Sequence, residues 1–280
     1  MICLRPFNAI PSPQIRSLSK RMEDYYRQTP SDYYAIADES RDKYDLPEMA
    51  LHRHLLSYVR QGTTVCEVGC GTAHLCPQVC ARGGHYTGVD WSPELLQANS
   101  RRFPQARFRA PSVTDEQYDV VASLYTLEHI AAPPDYLDQL WRLCRPGGLL
   151  AVICPCFVQP GVIAPSIFFG RTPRRLRAKI AAGALGDAMR HVWDLYIRVP
   201  LWQRRALAAA PGVFWINLAP RLLHADAYTI DADAVHLPRF EDLEWWFLSR
   251  GTIESTSRTL PDIPAEVLRF SMAFFVRKPR

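Results

Sequence analysis

The chain has 280 residues, 48% of them hydrophobic and 22% charged, with a formal net charge of +5. That balance supplies one large apolar core, or one core with a smaller unit, and excludes a low-complexity or disordered chain. The mild basic excess permits an acidic partner or a membrane surface without demanding nucleic acid.

Met1 to Lys20 has no long apolar run behind a basic start, so it reads poorly as a secretory signal. Eight cysteines without such a signal point to reduced thiols and a cytoplasmic setting. The first 60 residues read as helices leading into a core, with tyrosine pairs at Tyr25-Tyr26 and Tyr33-Tyr34. Met49, Leu51, Leu55, Leu56 and Val59 keep helical spacing up to a break at Gly62.

Strands and helices then alternate. Thr63 to Val68 is an apolar strand that ends in Gly69-Cys70-Gly71, and Thr72 to Ala81 is a helix stopped by Gly83-Gly84. His85 to Val89 is a strand ending at Asp90, and Ser92 with Glu94 opens a helix to about Arg102. Arg107 to Ala110 and Tyr118 to Leu124 are strands, with too little chain between them for a full crossover helix. Asp135 to Cys144 is helical, Pro146-Gly147-Gly148 turns, and Leu149 to Cys154 is a fifth strand. Pro146 to Gly170 carries no charge and has the length of a membrane span, but Pro155, Pro160 and Pro165 interrupt it and its start reads as a buried strand. Pro155 to about Val235 breaks the rhythm and reads as an insertion of helices and loops. A helix near Glu241 to Ser249 and strands near Thr252 to Ser257 and Leu268 to Val276 close the chain. The pattern predicts an α/β fold: a Rossmann-like doubly wound sheet, a C-terminal antiparallel hairpin and a helical insertion or cap. The expected units are a helical cap over 1–60, a core of 61–154 with 236–280, and the insertion over 155–235.

Glu67-Val68-Gly69-Cys70-Gly71-Thr72 lies between a strand and a helix. Glycines there permit a sharp turn and close approach of backbone to a ligand. Asp90 ends the next strand, where its carboxylate can accept hydrogen bonds from both hydroxyls of a ribose. A dinucleotide site wants a third glycine, and His74 stands in that place. Glu67 repels a pyrophosphate but suits a ligand bearing an amine or sulfonium. Both points favour S-adenosylmethionine over NAD.

The acidic-x-Gly-x-Gly-Thr loop, Asp90, Leu127-Glu128-His129 after the fourth strand and Arg145-Pro146-Gly147-Gly148-Leu149 before the fifth together resemble class I methyltransferases of the broad "type 11" group. The resemblance covers roughly Arg60 to Cys154 and His236 to Lys278. It implies that Gly69, Cys70 and Gly71 back the methionine part of S-adenosylmethionine, that Glu67 reaches its amine directly or through water, that Asp90 holds the ribose, and that Trp91 lies against adenine. Val113 and Leu124 complete the implied set. Relatives often carry an acidic residue after the third strand. Ala110-Pro111-Ser112-Val113 occupies that place here, with Ser112 as the substitute acceptor.

Transfer from a sulfonium needs chiefly an aligned nucleophile, helped for a hydroxyl by a nearby base. His129 is the first candidate base, against a reading as a packing histidine; His191, His224 and His236 are others. Cys66, Cys70, Cys76 and Cys80 lack a C-x-x-C pair, so no metal site is expected. Pro155-Cys156 resembles the nucleophile pair of cytosine methyltransferases but follows a different strand. Leu124-Tyr125-Thr126-Leu127 departs from the Asn/Asp-Pro-Pro-aromatic run of nucleobase amino methyltransferases.

The insertion, Phe157 to Val235, carries ten basic residues against five acidic ones, a difference equal to the whole formal excess of the chain. With Trp193, Trp202 and Trp215 it suits an acceptor lid, a peripheral membrane contact or a homodimer interface. The expected activity is O-methylation of a small or medium acceptor, a sugar or specialised metabolite, with a lipid-linked acceptor next. A nucleic-acid methyltransferase and an inactive cofactor-binding scaffold are the alternatives.

Overall fold

Central strands buried on both faces need continuous apolar runs, and this chain supplies them. In the computed structural model, which describes residues 4–28, 49–112, 116–162, 164–168, 176–222 and 231–280, strands β1 (Leu4–Pro6), β2 (Thr64–Val68), β3 (His85–Val89), β4 (Arg107–Arg109), β5 (Tyr118–Leu124) and β6 (Cys144–Pro155) are followed by β7 (Trp215–Asn217), β8 (His236–Leu237), β9 (Thr252–Thr256) and β10 (Ser271–Arg277). Seven of them form one sheet in the order β4-β3-β2-β5-β6-β10-β9. β2 pairs in parallel with both β3 and β5, whereas β10 runs antiparallel to β6 and β9. The expected doubly wound sheet with an antiparallel C-terminal pair is therefore present.

Val121, Leu150, Val152 and Cys154 point into one apolar layer, and Val120, Leu149, Ala151 and Ile153 into the other. The helix Pro133–Leu143 closes the first layer with Leu137 and Leu140, both fully buried. Each such side chain contributes roughly 1.5–3 kcal/mol. Helix Pro93–Arg102 starts as its sequence dictates: the Ser92 hydroxyl accepts the Leu95 N–H at 3.3 Å and Pro93 occupies the first turn.

Several boundaries differ from expectation. The helix after the glycine loop begins at Leu75, because Gly71 and Ala73 both take positive φ and delay its first turn. β6 begins at Cys144. Its pairing jumps from Tyr118–Cys144 to Val120–Leu149, so residues 145–148 bulge against the single residue Asp119. Asp119 holds this irregularity by pairing with Arg145 and accepting the Thr64 N–H at 2.7 Å. The last strand starts at Ser271, after a short helix Ala265–Phe270. Between Arg109 and Tyr118 the described residues contain no helix.

The insertion is not only helices and loops. Its β7 pairs with β1 on one side and, on the other, with β8, which lies just past the insertion's expected end, in a second, three-stranded antiparallel sheet. A three-residue strand has too little periodicity to be seen in sequence, and β1 finds its partner some 200 residues away. The insertion's helices are Pro165–Phe168, Leu176–Ala181, Leu185–Trp193 and Val199–Ala208, the last two joined by a π-helical turn, Asp194–Arg198. Arg239, buried, donates to the Ala206 and Ala209 carbonyls and so fastens the end of this array to the core. Among the described residues no helix is long and apolar enough to cross a membrane, and the uncharged run from Pro146 to Pro155 is strand β6.

Candidate functional site

In a sheet wound in two directions, the crevice lies at the carboxyl ends of the strands where the order reverses, here between β2 and β5. A cleft opens there, with about 760 Å³ of empty space including its open mouth. Its floor is Val68, Gly69 and Gly71 from β2 and its loop, with Val89, Asp90 and Trp91 from β3. Pro111, Tyr125, Thr126, His129, Ile130 and Tyr26 also line it.

Asp90 fixes the glycine loop. One carboxylate oxygen accepts the Gly71 N–H at 2.9 Å and the other the Ser92 N–H at 3.0 Å, leaving lone pairs on both for a ligand. Burial raises its pKa, opposed by the backbone N–H groups of Ser92, Gly71 and Trp91. Asn99 donates to the Gly71 carbonyl at 2.7 Å and holds the loop from behind. Gly69, at φ +78°, packs against Thr126, whereas a Cβ on Gly71 would meet no atom within 4 Å, so the loop faces open space. Backbone held open beside an anchored carboxylate fits an adenosyl ligand with an amino-acid tail.

Gly69, Gly71, Asp90, Trp91 and His129 thus meet in one cleft. The other positions named from the sequence are not among the residues lining this cleft. Glu67 is buried beneath the loop, where its carboxyl accepts the Tyr86 hydroxyl. Burial pushes its pKa up to about 8, with Tyr86 opposing and Asp90 adding to the rise. Cys70 is buried under the loop, and burial raises its thiol well above the ordinary range. Leu124 packs into the core layer behind β5. Ser112 is exposed and accepts from Arg109 at 2.9 Å, while its neighbour Pro111 reaches the cleft. Val113 and His224 lie outside the described residues, as do Tyr33 and Tyr34.

His129 sits on the 3-10 turn Leu127–His129. Its Nδ1 faces Asp233 at 3.6 Å and its Nε2 faces Glu128 at 3.7 Å. Burial alone would lower the His129 pKa, but the carboxylates of Asp233, Glu128 and Asp231 outweigh it and the net shift is upward. Glu128 is fully buried, with both oxygens lacking a hydrogen-bond partner among the described residues. Burial pushes it up to about 8, opposed by His129, and pushes Asp231 up to about 6. Glu128, His129 and Asp231 bring ligand-type atoms within 4.8 Å of one another, a cluster that cysteine spacing could not reveal. Asp233 also accepts the Tyr26 hydroxyl. The segment carrying it is fastened to the His129 turn by the Val235 N–H, which donates to the Glu128 carbonyl at 2.7 Å. N-terminal helix Ser12–Arg27, core and insertion therefore meet at one carboxylate.

Of the other candidate bases, His191 and His236 are not among the residues lining the cleft. His236 is buried, and burial pushes it down to about 3, so it is a poor base. His191 is buried beneath the insertion, with its pKa lowered by burial and Lys179. Cys156 is buried and its thiol is pushed up to about 11 by burial, the opposite of an activated nucleophile. Sequence reading missed Tyr125, Thr126, Asp231 and Asp233. The first two adjoin the Leu127-Glu128-His129 run, but the two aspartates carry no local signal.

A seven-stranded sheet of this order, with a glycine loop and a strand-end aspartate at its switch point, defines a class I S-adenosylmethionine-dependent methyltransferase. The chain belongs to the methyltransferase domain family, whose sequence model matches residues 41–210, and its cofactor is S-adenosylmethionine. It is 33% identical over 97 residues to a ubiquinone biosynthesis O-methyltransferase of Aeromonas salmonicida (strain A449), covering 31% of this chain and 41% of that protein. To the protein of the same name from Xylella fastidiosa (strain 9a5c) it is 29% identical over 150 residues, covering 47% of this chain and 61% of that one. The chain thus spans about half the length of these relatives. Among solved structures, the PH0226 protein from Pyrococcus horikoshii OT3 shares the fold, with a TM-score of 0.51 at 12% identity, over 91% of this chain and 98% of that one.

Proposed function

We propose that the protein transfers the methyl group of S-adenosylmethionine to a hydroxyl of a small or medium acceptor, of the sugar or specialised-metabolite kind. The observation that carries this reading is His129 in the cleft lining, flanked by Asp233. The rings of Tyr26 and Tyr125 line the same cleft and, within that class, suit an acceptor with a ring face to stack. The names of the ubiquinone biosynthesis relatives agree with oxygen as the atom methylated.

When bound, the cofactor supplies an already activated methyl on a sulfonium, so the chain's task is alignment, proton removal and exclusion of water. Gly69 and Gly71 give room for the amino-acid tail, and Asp90 offers acceptors to the ribose. His129 lines the cleft between the Asp233 and Glu128 carboxylates, and its neutral imidazole takes the proton of the acceptor hydroxyl. Asp233 then steadies the imidazolium and fixes its ring, and the Tyr26 hydroxyl holds Asp233 in turn.

The reading is tested by following label from methyl-labelled S-adenosylmethionine into a panel of phenols, sugars and amines. Transfer that vanishes when the acceptor hydroxyl is masked supports it; transfer confined to amines or carbon acceptors contradicts it. Asp233→Asn gives a second check. Because Asp233 raises the His129 pKa, removing its charge lowers that pKa. The rising limb of the kcat–pH profile then moves to lower pH, while the plateau falls about tenfold for want of the orienting carboxylate. An unmoved profile would separate Asp233 from the base.

A further inference from the structure

We infer that the outer face of the insertion's long helical array docks on an anionic phospholipid surface, lying in the plane of the bilayer. The array runs from Leu185 to Ala208 through the π-helical turn Asp194–Arg198. Its inner face is already seated: Ala188, His191, Asp194, Val199, Trp202 and Ala206 are all buried. A helix fixed by one face ordinarily turns polar residues outward. Here Leu185, Met189, Trp193, Tyr196, Ile197 and Leu201 lie outward, between 41% and 74% exposed.

The π turn makes these residues one stripe. In an uninterrupted α-helix Leu201 would stand about 160° round the axis from Leu185. Fitting one extra residue into a turn absorbs about 100° of that rotation and brings Leu201 back to the same side. The same phase shift keeps Val199, Trp202 and Ala206 facing inward.

Charge selects the occupant. Between residues 176 and 208 the acids are Asp187 and Asp194 alone. Asp187 is paired with Lys179 and Asp194 with Arg198. Arg177, Arg190, Arg204 and Arg205 are exposed and have no ion pair with a described residue. Arg190, Arg204 and Arg205 on the array itself, with Arg177 on the preceding helix, and an apolar stripe with Trp193 and Tyr196 match an interface of anionic headgroups over acyl chains. A second copy on a two-fold axis would set these arginines against themselves. RNA would leave the leucine and methionine side chains without apolar partners. This inference is independent of which acceptor atom is methylated.

The full chain is tested by flotation with phosphatidylcholine vesicles, alone and with about 30% phosphatidylglycerol. The protein is expected to float with the anionic vesicles and to be released as salt rises. The double variant Met189→Ser/Trp193→Ser should bind about tenfold more weakly, with unchanged circular dichroism and unchanged S-adenosylhomocysteine affinity. No flotation of the wild type with anionic vesicles at low ionic strength overturns the proposal. So does a wild-type dimer in sedimentation that the same double variant dissociates, since the face would then be covered by a second copy.

Discussion

His129→Ala is expected to lower kcat by about 10²-fold or more, the usual contribution of a positioned base, while S-adenosylhomocysteine affinity stays within a few-fold of wild type. The side chain lines the cleft, and Asp90 and the glycine loop are left untouched. Removing the imidazole also removes the nearest cation from Glu128, whose carboxyl burial already holds at about 8 against an ordinary 4.5. A carboxyl raised on folding stabilises the fold below its unfolded pKa, and that contribution is lost as pH rises through the folded value. The variant should therefore go on losing stability above about pH 8, where this contribution has levelled off in wild type, so melting is followed to alkaline pH and kinetics are compared on the plateau of the wild-type profile. Full activity of a folded variant would return His129 to a packing role.

Gly69→Ala is expected to cost about 2–5 kcal/mol of stability and to weaken S-adenosylhomocysteine binding at least about tenfold, by two separate effects. At φ +78° an L-residue is strained by roughly 1–2 kcal/mol. A Cβ there would also fall inside the contact shell of the Thr126 side chain, whose own Cβ would be 2.8 Å away. Thr126 cannot simply swing aside, because its hydroxyl bonds the Leu124 carbonyl at 3.2 Å and lies between β5 and the His129 turn. Adding Thr126→Gly should recover the steric part and leave the backbone strain, which urea unfolding of single and double variants would resolve. Wild-type stability in the single variant would mean the loop relaxes more cheaply than its packing implies.

What could be read from sequence was what is local. The β2–loop–helix unit and Asp90 lie within the 27 residues from Thr64 to Asp90, and each part has its own signature in glycine, strand run and strand end. The terminal antiparallel pair followed from resemblance and from strands expected near Thr252–Ser257 and Leu268–Val276, found at Thr252–Thr256 and Ser271–Arg277. What escaped was set by contacts distant in the chain. Glu67 looked like a ligand-facing acid because its partner, Tyr86, is reached only across the sheet. Asp233 looked like one of several insertion acids until Val235 tied its segment to Glu128, about 100 residues earlier. β1 escaped because three residues carry no period and pair only with β7. The basic excess of the insertion was visible, but its arrangement was not: the π turn that collects the exposed apolar residues on one side has no sequence mark.

The central claim is that Asp90 and its glycine loop form the cofactor's ribose anchor. It is tested most directly by calorimetric titration of wild type and Asp90→Ala with S-adenosylhomocysteine, with NAD as a control. The wild type is expected to show one tight site, about tenfold or more weaker in the variant (roughly 1.4 kcal/mol or above), and no NAD binding. Equal affinity in the two proteins, or NAD binding at the same site, would contradict it.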